Sequence, residues 1–353
     1  MKVYVLPADA YGCGHYRLIW PSSVLHAAGF NVQILPPSKN SGFLAKTELQ
    51  PNGQERLVSL QVPDDADVIV VQRPAHPFQP AMIEMMRANG IAVVVDMDDD
   101  MSTIHPENIA YQTYRHRSNS IWSWKYAAES CKRATLVTTT TPALQKTYAK
   151  HGRGMLLDNF IPATYLNTPK FDSGAFGWAG SMSSHPNDPQ VARPAVQRLI
   201  DEGYPFMMVG DEGDKARLAF GLKKPPQSTG PTTIVQWIFK IAESFDVGMI
   251  PLGPTSFNTA KSRLKGIEFM AVGIPWVASP RAEYRKLLKD SGCGFLADNP
   301  RQWYSLLKQL LDDETLRQEQ AEAGKAYMQT QTYEANAWRW AEAWEHAYKM
   351  ERG

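Results

Sequence analysis

Short apolar runs alternate with longer amphipathic stretches along the first half of the chain. Residues 3–6 and 31–35 read as strands, and the pattern between them is helical through residue 28. Residues 67–72 and 91–95 are apolar runs bounded by turn residues, as expected of parallel strands buried on both faces. Residues 80–89 carry a helical pattern, 134–138 read as a strand, and 141–151 read as a helix capped by Thr141. Strands separated by helices predict βαβ units and a parallel sheet.

Residues 158–173 break this rhythm with Asn159, Pro162 and Pro169, and are expected to link two domains. A second series follows, with strands at 175–179, 206–209, 247–252 and 275–279 and helices at 188–203, 234–244, 262–272 and 303–311. The expected architecture is α/β: two Rossmann-like, doubly wound domains, residues 1–165 and 170–330, each of ordinary domain size. Residues 331–353 add a terminal helix. Trp340, Trp344 and Tyr348 recur there every fourth residue, which predicts one packed aromatic face turned towards the N-terminal domain.

Composition narrows the function classes. The chain has 353 residues, 43% hydrophobic and 21% charged, which fits two packed domains and excludes general disorder. Lys+Arg number 37 against 36 Asp+Glu, so the basic excess of a phosphate-neutralising nucleic-acid binder is missing. Cys13, Cys131 and Cys293 lie far apart without a CxxC pair, which argues against a disulfide scaffold or structural zinc. No apolar run approaches the length of a membrane span, and the first residues read as a strand rather than a signal peptide. A cytoplasmic protein is expected. Hydrolase signatures are missing too: there is no Gly-x-Ser-x-Gly elbow, no His-Glu-x-x-His and no Walker lysine motif.

The richest stretch follows the strand at 247–252: Asn258, then Lys261, Ser262, Lys265, Glu268 and a closing Gly273-Ile274-Pro275. A buried strand running through a loop into a helix start near Lys261 offers backbone N–H groups and an ammonium to a diphosphate. Glu268, two turns on, has the acceptor geometry for two ribose hydroxyls.

This stretch resembles the donor site of the family 4 retaining glycosyltransferases of the GT-B fold. Their Glu-x7-Glu motif is matched at its second position by Glu268, while the first position is Ala260. A subset of relatives has Asn-x-x-Lys-Ser-x-x-Lys-x-x-Glu, and the chain looks like that subset. The resemblance extends over residues 170–350 and, more loosely, the first half. It implies donor contacts from Gly180 and Ser181, from Gly210 and Asp211, from Val235 and Trp237 near the base, and from Lys261, Ser262, Lys265 and Glu268. His185 and Asp188 follow in a common His-x-x-Asp spacing.

The implied reaction moves a sugar from a nucleoside diphosphate, with UDP or GDP as candidates, to an acceptor hydroxyl. It proceeds with retention and requires neither metal nor further cofactor. Lys261 and Ser262 would hold the leaving diphosphate.

In the first half, Gly12, Gly14, His15 and Arg17 follow the opening strand and are expected to face the cleft on the acceptor side, with His105. Residues 11–21 also look like proteins encoded in bacteriophage genomes. Asp96-Met-Asp98-Asp99-Asp100 ends a strand, and its carboxylates, Asp98 and Asp99 above all, are candidates for the reacting centre. The same cluster suits a divalent metal and, as Asp-x-Asp, matches the metal motif of the rival GT-A fold.

Two alternatives stay open. One is a catalytically silent sugar-nucleotide-binding protein, motivated by Ala260. The other is a phage-type transferase acting on a hydroxylated DNA base, with residues 114–117 and 122–125 supplying stacking and phosphate contacts.

Overall fold

The computed structural model describes residues 1–37, 43–51, 53, 55–114, 117–118 and 121–353, without the side chains of Arg117, Ser118 and Ala282. In the first half the strands are β1 (Val3–Leu6), β2 (Val32–Ile34), β3 (Leu44–Leu49), β4 (Glu55–Gln61), β5 (Val68–Gln72), β6 (Ala92–Met97), β7 (Arg117–Ser118), β8 (Ile121–Trp122), β9 (Leu136–Thr139) and β10 (Gly154–Leu156). In the second they are β11 (Phe176–Ala179), β12 (Phe206–Val209), β13 (Gln227–Ser228), β14 (Val247–Ile250), β15 (Trp276–Ala278) and β16 (Phe295–Leu296).

Two six-stranded parallel sheets result, in the orders β10-β9-β6-β5-β1-β2 and β13-β12-β11-β14-β15-β16. Every residue of β1, β5, β6 and β9 is buried, which is why these strands lack polar alternation in the sequence. The chain reverses direction across the sheet beside β1 in one half and beside β11 in the other. In doubly wound sheets such reversals open a crevice at the carboxyl ends of the strands.

Three features depart from the pattern reading. β3 and β4 form an antiparallel hairpin that the sequence did not announce, because every residue of β3 is exposed and none marks a buried face. The expected linker at 158–173 is built into the fold: it holds a short helix, Ala163–Asn167, and Ile161 pairs with Thr332 as a parallel bridge. The helix expected at 262–272 is preceded by a separate turn, Ser256–Thr259, and runs only over Leu264–Ala271. Thr141 caps its helix as expected, its side chain accepting from the Leu144 N–H.

The terminal helix Trp338–Arg352 packs on β5, β6 and β9 and on the helix Trp20–Ala27. Trp340 and Trp344 are fully buried and Tyr348 is partly buried. The Trp340 indole N–H donates to the Arg17 carbonyl at 2.8 Å, and the Tyr333 hydroxyl donates to the Tyr16 carbonyl. The last segment of the chain therefore fixes the backbone of the loop and helix that follow the first strand. A second tie crosses in the opposite direction. Phe257 and Ala260 are buried in one apolar cluster with Met101, Leu144 and Tyr148, and Thr141 donates its hydroxyl to the Ala260 carbonyl at 2.9 Å.

Candidate functional site

The carboxyl ends of both sheets open on one cavity of about 480 Å³. The first half contributes the loop after β1, Arg73 after β5, and Asp98 and Asp99 after β6. The second half contributes Ser181 after β11 and the run Lys261, Ser262, Lys265 and Glu268 after β14. Both reversal points in strand order thus face the same space.

One wall is cationic. The Lys265 ammonium lies 5.1 Å from the Trp178 ring centre and has no ion-pair partner among the described residues. Burial, reinforced by the nearby Lys261 charge and only partly offset by Glu268, pulls its pKa down to about 8. Gly180 makes room for it. At φ +146°, a Cβ there would come within 2.7 Å of the Trp178 ring and 2.9 Å of the ammonium. Lys261 stands over the Phe257 ring at 4.5 Å and pairs with Asp99 at 3.4 Å. Ser262 accepts a hydrogen bond from the Asn159 amide at 3.0 Å. Neither Lys261 nor Ser262 belongs to the helix that follows, whose cap is Arg263.

Glu268 closes the far side. It is 3% exposed, and one oxygen accepts from the Tyr16 hydroxyl at 2.6 Å and from the Trp237 indole at 2.8 Å. Burial raises its pKa, against the opposing effects of Tyr16, Lys265 and Trp237. Gly210, at φ +92°, lets the Trp237 ring approach, since a Cβ there would sit 2.7 Å from it. Asp211 does not reach the cavity. Its carboxylate accepts from the Met182 and Glu212 N–H groups and pairs with Lys215, all at 2.9 Å, so it braces the loop carrying Ser181.

The acidic run after β6 diverges instead of converging. Asp96 takes both arms of the buried Arg17 guanidinium at 2.8 and 3.0 Å and a hydroxyl from Thr138 at 2.7 Å. Asp98 and Asp99 share Arg73, whose Nη2 lies 2.7 Å from one and 3.0 Å from the other. Asp100 turns away to Ser102 and Tyr148. Among the described residues no group of three His, Cys, Asp or Glu side chains is arranged to hold a metal ion. Asp99 is driven up by burial, but Lys261 and Arg73 outweigh this and hold it below the usual carboxylate range.

Several expected contacts are placed differently. The Arg17 guanidinium commits four of its five N–H donors to Asp96, the Leu157 carbonyl and Asn159 and is 1% exposed, which places it as an internal brace. His15 bonds the Tyr11 carbonyl at 2.8 Å and, with Val235, lines a separate side cavity; Val235 is 76% exposed. His105 is exposed and does not line the cavity; the Asn187 amide reaches it at 3.0 Å. Gly14 serves its own loop: a Cβ would collide with the Asp9 carbonyl at 1.9 Å. Gly12 lines the cavity with open space at its α-carbon. Of the proposed stacking segments, Arg115 and His116 lie outside the described residues, and Lys125 rests over the Trp124 ring at 5.9 Å.

Two participants, Arg73 and Tyr16, carried no local signal strong enough to single them out. Arg73, a non-glycine at φ +50°, follows an apolar strand with no motif around it. Tyr16 sits inside a π-helical turn, His15–Ile19, a rare element often found at functional sites. The His185–Asp188 spacing was visible, but not its geometry. The ring nitrogen lies 2.7 Å from Asp188, whose other oxygen accepts from the Gly253 N–H at 2.9 Å. Burial and the neighbouring Lys265 bring His185 down to about 4, so it is neutral at pH 7.

No protein-family profile and no curated protein sequence matches the chain. Solved structures do. Sucrose-phosphate synthase from Thermosynechococcus elongatus superposes with a TM-score of 0.69 at 11% identity, over 99% of this chain and 100% of that one. Anabaena HepE in complex with UDP gives 0.62 at 15% identity, over 98% and 100%. A glycosyltransferase from Rickettsia africae gives 0.62 at 12% identity, over 99% and 98%. The fold is GT-B. At these identities the likeness speaks for the fold and not for the reaction. No helix among the described residues is long and apolar enough to cross a membrane.

Proposed function

We propose that the chain is a glycosyltransferase that moves a sugar from a nucleoside diphosphate to an acceptor hydroxyl, with retention. The observation that carries this reading is the unpaired Lys265 ammonium beside Lys261 at the carboxyl end of β14, with Glu268 one turn beyond. Among the described residues this half-buried ammonium makes no ion pair, and a diphosphate supplies two negative charges. Lys261 and Ser262 are assigned to the departing diphosphate, whose charge grows as the glycosidic bond breaks. Stabilising such developing charge is usually the largest catalytic contribution. Glu268 is assigned to the ribose, and Trp237 to the base side of the pocket.

In this reading residues 170–330 form the donor domain, residues 1–165 the acceptor-side domain, and residues 331–353 the tie between them. Asp98 and Asp99 face the transferred sugar and its acceptor from the opposite wall, and closure of the halves excludes water. HepE is solved with UDP, which makes uridine nucleotides the first donors to test.

The test is consumption of donor in a panel of UDP- and GDP-sugars offered glycan, protein and DNA acceptors. The expected pattern is turnover with one donor, weakened binding in Glu268→Ala and lowered turnover in Lys261→Ala. Unchanged kinetics in both variants contradict the assignment. A second reading, a silent nucleotide-sugar-binding protein, draws on Ala260, whose buried position offers the donor sugar no carboxylate. It predicts a donor that binds and is not consumed with any acceptor.

A further inference from the structure

The Tyr16 hydroxyl reaches Glu268 across 252 residues of sequence, from the first half into the second. Its ring is 3% exposed and packs edge-on against Trp20 at 4.6 Å. Its backbone carbonyl accepts from Tyr333 and that of Arg17 accepts from Trp340, so the turn bearing it is anchored by the terminal segment. Glu268 is the residue that the nucleotide reading assigns to the ribose, and the inference rests on that reading.

We propose that Tyr16 is a positioning residue of the donor site: its hydroxyl, supplied by the opposite half, holds the Glu268 carboxylate oriented for the hydroxyls of a nucleotide ribose. Tyr16 and Trp237 donate to the same carboxylate oxygen, which leaves the other oxygen for a ligand hydroxyl. Two donors on one oxygen fix the carboxylate plane before the ligand arrives, and preorganisation of this kind lowers the cost of binding. Because one of the two donors comes from the other half, the ribose site is complete only with the halves closed.

The contact also acts on charge. A buried carboxylate is stabilised as the ionised acceptor by the hydroxyl that donates to it. The other groups facing Glu268 are Lys265 on its own helix, the Trp237 indole, and the hydroxyls of Tyr165 and Tyr284, both raised above their usual range by burial and so neutral near pH 7. The ligand needs the carboxylate, so affinity falls as pH drops through the Glu268 titration. Removing the Tyr16 hydroxyl moves that acid limb to higher pH.

The experiment is calorimetric binding of UDP and 2′-deoxy-UDP, and of the guanine pair, to wild type, Y16F, E268Q and the double variant over a pH series. Y16F keeps the ring against Trp20, and E268Q supplies an independent route to the same site. Wild type is expected to prefer the ribonucleotide. Y16F is expected to weaken it roughly tenfold, to shrink the preference, and to raise the acid limb. In the E268Q background Y16F adds little. A preference and pH profile unchanged in Y16F, or tighter UDP binding, overturns the proposal while the donor site stands. Failure of wild type to bind either UDP or GDP overturns the donor reading and this inference together.

Discussion

Lys261 of the second half lies 3.4 Å from Asp99 of the first, an ion pair between residues 162 positions apart that links the two walls of the cavity. Asp99 also shares Arg73 with Asp98. The lysine assigned to the diphosphate therefore already has a partner, and a donor must displace it.

That exchange makes Asp99 a competitor for the ligand. Asp99→Asn is expected to tighten UDP binding by about threefold, the scale of a partly exposed ion pair. Lys261→Ala is expected to lower turnover more than affinity. Calorimetry with UDP on both variants, with donor turnover measured for Lys261→Ala, checks the pair, and weaker binding in Asp99→Asn would assign Asp99 to the ligand instead.

Lys265 sets an alkaline limit on donor affinity. With its pKa depressed to about 8, the ammonium is present below that pH and lost above it. The anion binds the protonated form, so affinity is full below about 8 and falls as pH rises through it, with uptake of a proton on binding near that pH. Kd for UDP from pH 6.5 to about 9.5 is expected to weaken tenfold per unit at the alkaline end. Lys265→Met is expected to bind more weakly throughout and to lose this dependence; an identical slope in the variant contradicts the assignment.

The alanine at position 260 has a structural reason. Its methyl is 4% exposed, in the apolar cluster that joins the halves, and its carbonyl takes the Thr141 hydroxyl. A carboxylate forced into that packing has no partner. Ala260→Glu is expected to destabilise the protein by roughly 3 kcal/mol or to part the halves, without adding activity. Thermal unfolding decides this: a variant as stable as wild type contradicts the packing account.

Trp340 tests the terminal tie. It is fully buried, and its indole N–H holds the Arg17 carbonyl. Trp340→Ala is expected to cost about 3–5 kcal/mol. It is also expected to weaken UDP binding, because the turn bearing Tyr16 loses an anchor. Loss of stability with unchanged affinity in the protein that remains folded would separate the tie from the site.

Much of the frame was legible because it is encoded locally. Apolar runs without alternation marked the central strands, Thr141 marked its helix, and the tryptophans at 340 and 344 marked a buried face. Lys261, Lys265 and Glu268 were legible because all three lie within eight residues, on one loop and helix. What the sequence could not convey was partnership. Arg17 and Asp96 each read as available charges, yet their pairing 79 residues apart removes both from the ligand's reach. Tyr16 and Arg73 had the opposite fate: closure of the two sheets brings Tyr16 to Glu268, and the pairing of β5 with β6 brings Arg73 to Asp98. His15 and Val235 were misdirected by their position near the site, because neighbours along a helix or turn face different cavities.

The central claim is a nucleoside-diphosphate site, with Lys261 and Lys265 at the diphosphate and Glu268 at the ribose. Thermal unfolding with UDP, GDP, uridine, guanosine and NAD, all at one concentration far above the expected affinity of the diphosphates, tests it most directly. Ligand at a hundred times its dissociation constant adds about 2.7 kcal/mol, a rise of roughly 5–10 °C at this domain size. The account predicts that rise with UDP or GDP and not with the matching nucleoside. No rise with either diphosphate, or an equal rise with the bare nucleoside, contradicts it.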